Sequence, residues 1–132
     1  AMDRVQELLD DSDQKRAENY VGYRVIADHG RAATFLIGDG VRPGSTGAGY
    51  VLRMLIRRAA RFGRQIGFQQ PFMAEIAQVY IDQMGDMYPE IKNRREHILQ
   101  TLTQEEERFA RTLDSAIVHL LEVLEEMAER GE

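Results

Sequence analysis

The chain has 132 residues, no cysteine and no tryptophan, with 43% apolar and 30% charged residues. That composition excludes a disordered or collagen-like chain, a disulfide framework, a thiol nucleophile and a cysteine-based zinc site. The formal net charge of −5 hides an uneven distribution: residues 1–23 carry six acids and three bases, residues 24–64 eight arginines and only Asp28 and Asp39, and residues 65–132 fourteen acids and six bases. A polyanion can dock on the central basic block while the flanks repel it.

No apolar run approaches the ~20 residues of a membrane span, and Ala1-Met2-Asp3 opens no basic-then-apolar export signal. Neither a membrane nor an export route is expected. Ala1 ahead of Met2 reads as a non-native scar, and the chain as a segment of something larger.

Residues 1–19 read as a polar, loosely held lead-in with one short helix around Val5, Leu8 and Leu9, broken at Asp10-Asp11-Ser12-Asp13. From Tyr20 to about Ile37, apolar residues recur at spacings of three, four and seven, which predicts a helix with Asn19 as N-cap. Residues 38–49 hold five of the eleven glycines and are expected to form a loop. A second helix follows over 50–62. Its apolar face is read as Val51, Leu52, Leu55, Ala59 and Phe62. Arg53, Arg57, Arg61 and Arg64 fall within an arc of about 80° on the other face, with Arg58 beside it. Pro71 suits the start of a third helix over 72–84 and Pro89 a fourth over 90–102. Thr103-Gln104-Glu105-Glu106 reads as a capping box that opens a last helix over 104–130. Nothing alternates with period two. The expected fold is all-α: a five-helix, bundle-like domain over 20–132, with a Gly-rich loop between its first two main helices and a long C-terminal helix.

Chemistry-bearing constellations are few. His29, His97 and His119 fall in three different helices, and no pair has metal-ligand spacing, so no metal site is read. Gly44–Gly49 superficially suggests a phosphate cradle, yet it lacks the Lys-Ser/Thr of a nucleotide loop and a preceding strand. A single backbone phosphate on the following helix N-terminus and a plain interhelical loop both remain open. No nucleophile–base–orienter set can be assembled, so no catalytic residue is assigned. The arginine face is the most informative feature. It is read either as a solvated face neutralised by the acidic helices or as a surface for a nucleic-acid backbone. The absence of lysine from it favours phosphate, because the guanidinium presents a rigid planar fork.

Four ordered blocks carry a resemblance: Arg24–His29, Phe35–Pro43, Gly49–Ala59 and Glu105–Leu113. Together they closely resemble alanyl-tRNA synthetases over roughly residues 20–130, in the helical region that follows the class II aminoacylation core. The resemblance implies recognition of the acceptor stem of alanine tRNA and its G·U wobble pair, with Arg42, Ser45, Thr46, Arg53, Arg57, Arg58, Arg61 and Arg64 as tRNA-binding residues. It places ATP with magnesium, and zinc where present, in other parts of a cytoplasmic parent enzyme. The rest of the synthetase chain is then a second partner. Two departures from the family pattern stand out. Ser45 occupies the place of an asparagine linked to the wobble pair, and Ala48 and Met54 replace usual arginines. A second wobble-linked residue, an aspartate, is expected beyond Glu132. A free-standing helical interaction module, whose long last helix pairs with a partner, is the alternative; an enzyme with an unrecognised site finds no support in the residues.

Overall fold

The computed structural model describes residues 1–131. They form seven helices and no strand: α1 (Met2–Leu9), α2 (Asp13–Glu18), α3 (Tyr20–Gly38), α4 (Gly47–Ile66), α5 (Met73–Met84), α6 (Pro89–Asn93) and α7 (Arg95–Glu129). The all-α class and the long C-terminal helix are as expected. The two helices beyond the expected five lie in the lead-in; over 20–131 the number is five but the bounds differ: the expected 50–62 helix extends over Gly47–Ile66, and the expected 90–102 helix breaks at Arg94 into α6 and the first turns of α7.

The lead-in does not lie loose. Val5 of α1 is fully buried in the common core. The Tyr23 hydroxyl donates to Asp11 Oδ2 at 2.6 Å, and Ser12 caps α2 by accepting from the Lys15 N–H. Asn19 sits at the N-cap position of α3, but its side chain makes no capping bond.

The core gathers around α3, which packs along α4 and crosses α5 and α7; Tyr23, Ile26, Ala33 and Ile37 from α3 are sealed against Leu52, Ile56, Ile76 and Leu102. The buried face of α4 is Leu52, Ile56, Ala59, Ala60, Gly63 and Ile66. Val51, expected inside, is exposed. The buried stripe is turned toward Ile56 and Ala60 because α4 lies between α3 and the α5–α7 pair rather than against one neighbour.

The expected boundary at Thr103 is absent. Helix α7 runs unbroken through it, and the Thr103 hydroxyl donates back to the Leu99 carbonyl at 3.0 Å, as a threonine inside a helix does. Ile98 and Leu102 before it are fully buried, and they anchor the helix across the site where it was expected to start. Glu106 does cap a helix, but a different one. Its carboxylate accepts from the Phe72 and Met73 N–H groups at the start of α5, at 3.0 and 2.6 Å. Two orphan donors of that helix end are thus satisfied from a segment more than thirty residues later.

Candidate nucleic-acid interface

The loop between α3 and α4 begins with a helix stop. Gly40 takes φ +98°, the Val41 N–H reaches the Leu36 carbonyl and the Gly40 N–H the Ile37 carbonyl, which closes α3 with a Schellman motif. The chain then doubles back: the Gly44 N–H donates to the Gly49 carbonyl at 3.0 Å. A Cβ at Gly49 would stand 2.5 Å from the Arg42 carbonyl oxygen, so only glycine permits this close return. The loop is thereby held against the first turn of α4, with Arg42, Ser45 and Thr46 exposed along it. The Gly44 N–H is already spent inside the loop and no lysine follows, so these residues do not fit an ATP phosphate cradle.

The arginines of α4 divide into three groups. Arg53 and Arg57 both reach Glu105 Oε1 of α7, through their Nε atoms at 3.0 and 3.4 Å. Glu105 is only 5% exposed, and the guanidinium groups cover it. The Arg57 guanidinium also lies over the Phe109 ring. Both guanidinium groups are therefore tethered at Nε to one carboxylate oxygen. Arg58 and Arg61 are exposed, lie over the Phe62 ring at 5.3 and 5.7 Å, and make no ion pair among the described residues. Arg64 makes a long, exposed contact of 3.5 Å with Asp114, of a kind worth about 0–1 kcal/mol.

The predicted site residues thus fall on adjoining ground: the loop with Arg42, Ser45 and Thr46, then Arg53 and Arg57 locked by Glu105, then Arg58 and Arg61 free. Arg64 stands at the far end, partly occupied by Asp114. Arg57, Arg58 and Arg61 line an open hollow of about 460 Å³ with Met54 and Phe109.

Sequence reasoning missed a contribution from α7. His97, Thr101, Gln104, Arg108 and Arg111 recur at spacings of four, three, four and three, so they share one helix face. With Arg42 and Arg53 they line a second hollow, of about 490 Å³. The spacing was legible, but splitting the helix at Thr103 divided the stripe between two elements.

An arginine-rich helical face joined to an exposed polar loop is thus the most strongly charged surface among the described residues. Comparison with known proteins gives the family. A family model described as tRNA synthetases class II (A) matches residues 1–132. Relatives include the alanine–tRNA ligases of Chloroflexus aurantiacus, 53% identical over 110 residues, and of Roseiflexus castenholzii, 49% over 109. Both matches cover 83% of this chain and 12% of the relative. The alanine–tRNA ligase of Herpetosiphon aurantiacus is 44% identical over 127 residues, 96% of this chain and 14% of that protein. The chain belongs to the class II tRNA synthetase (A) family, and the resemblance carried by the four sequence blocks is borne out. It spans about an eighth of the length of the relatives it matches.

Proposed function

We propose that this chain is the part of an alanine–tRNA ligase that holds the acceptor stem of alanine tRNA. One observation carries the reading: an exposed polar loop runs directly into a helix whose outward cations are either free, as Arg58 and Arg61 are, or tethered to Glu105, as Arg53 and Arg57 are. Arginines set along a backbone track supply affinity and register, and a loop side chain reaching a base edge supplies choice. An A-form stem offers a wide, shallow minor groove, where a G·U pair leaves the guanine amino group without its usual partner. Ser45 at the exposed loop tip has a hydroxyl able to accept from that group. The ligase uses ATP with magnesium to join alanine to the tRNA, in the cytoplasm. That chemistry belongs to the rest of the polypeptide, and the 132 residues alone catalyse no pyrophosphate exchange.

The test is a titration of stem helices in several salt concentrations. Loss of one phosphate-holding arginine should weaken all stems alike and lower the salt slope by roughly 0.7–0.9. Ser45→Ala in the full-length ligase should narrow the preference for a G·U over a G·C stem by about 1–3 kcal/mol and leave the slope nearly unchanged. If Ser45→Ala and Arg57→Ala both leave stem binding untouched, the assignment is wrong.

A second reading is favoured by the distal half of α7, where Ile117, Leu120, Leu121, Leu124 and Met127 are all exposed. This stripe packs against the remainder of the ligase chain, which in the relatives is about seven times longer than the matched part. Helical contact without salt-sensitive RNA binding would make that packing the whole role of the domain.

A further inference from the structure

We propose that the hollow between the 42–46 loop and α7 is a second phosphate-holding cleft, formed by Arg42, Arg108 and Arg111, that grips a further stretch of the same RNA backbone. The inference rests on the stem-binding reading above and extends it to residues outside the α4 face. Arg42 stands on the loop wall, and Arg108 and Arg111 on α7, around a hollow of about 490 Å³. All three are exposed, and none makes an ion pair among the described residues. The single acid lining the hollow, Glu105, is buried and already shared by Arg53 and Arg57. Four guanidinium groups therefore face one carboxylate, in a chain with five more acids than bases. Such a concentration of like charge opposes itself in the free protein, and an entering anion relieves it.

The shape points to a polymer rather than a small ligand. The cleft is open, and all its lining residues but Pro43 carry polar side chains, with His97, Thr101 and Gln104 adding hydrogen-bonding capacity. A small-molecule site is more enclosed and mostly apolar. It is also continuous with the α4 surface. Arg53 and Glu105 line this hollow and Arg57 lines the other, so the Arg53–Glu105–Arg57 bridge is the ridge between the two. A backbone laid over that ridge meets cations on both sides.

The experiment compares the wild-type chain, the pair Arg108→Ala/Arg111→Ala and the pair Arg58→Ala/Arg61→Ala. Each is titrated with a short RNA hairpin over a series of salt concentrations, with unchanged helicity and melting as the control for folding. The α7 pair should weaken binding and lower the salt slope by roughly 1.4–1.8, twice the value for one contact. Arg108→Lys/Arg111→Lys should restore the slope. An unchanged affinity and slope in the α7 pair, while the α4 pair loses both, would overturn the cleft and leave the stem-binding reading standing. A loss of affinity with no change of slope would overturn it too, because phosphate contacts must release counterions. No salt-dependent binding by the wild-type chain would overturn both.

Discussion

Glu106 is 4% exposed, and burial pushes its carboxyl from the ordinary range up to about 7, against the pull of the Phe72 and Met73 N–H groups. The native state therefore holds a proton that the unfolded chain has released between pH 4.5 and 7. This contribution to stability is full below about pH 4.5 and is lost as the pH rises through 7, a swing on the order of 3 kcal/mol. Glu106→Gln removes the titration, so its stability relative to wild type should improve between pH 5 and pH 8. Urea melts of the two proteins across that range check this, and a constant difference would contradict it. At Gly63 the constraint is steric. A Cβ there would strike the Phe72 ring, which stacks on Phe68 at 4.1 Å between centroids. Gly63→Ala should lower stability by about 1–3 kcal/mol despite alanine's better helix propensity, measured by thermal or urea melting.

At the scale of elements, α7 decides most of the geometry, and its character was only partly visible beforehand. The apolar periodicity of α3, the stop at Gly38–Gly40 and the arginine stripe of α4 were legible because each is a local pattern. The Thr103 signal misled because the capping-box pattern matches local residue types, whereas the outcome was set by burial of Ile98 and Leu102 and by two buried glutamates. Three successive acids look solvated in sequence; only the tertiary fold shows Glu105 taken by Arg53 and Arg57 and Glu106 by the start of α5. Thr103→Ala should accordingly shift stability by less than about 0.5 kcal/mol, since it removes a back-bond to Leu99 inside a helix rather than an N-cap. Beyond Asp114 every described residue of α7 is exposed, including Leu121 at 59%. Leu120→Ser and Leu121→Ser should leave the melting of this chain within about 0.5 kcal/mol of wild type. A larger loss would mean that the stripe is already covered in solution.

For the whole molecule, the overall charge of −5 is a poor guide to its partner, because the acids lie largely before residue 24 and after residue 64 while the cations converge on one surface. The internal use of Glu105 sharpens that surface: one buried carboxylate tethers two arginines while leaving Arg42, Arg58, Arg61, Arg108 and Arg111 uncompensated. Stem binding on this surface is read most directly by residue-resolved chemical-shift mapping of the isotope-labelled chain during titration with an acceptor-stem RNA helix. The amides of Ser45, Thr46 and Gly47 and the Nε–H groups of Arg58 and Arg61 should shift together and saturate at one stoichiometry, while α5 and the part of α7 beyond Asp114 stay still. Shifts confined to α1, α2 or the distal part of α7, or no shifts with RNA in excess, would contradict binding of the stem on this surface.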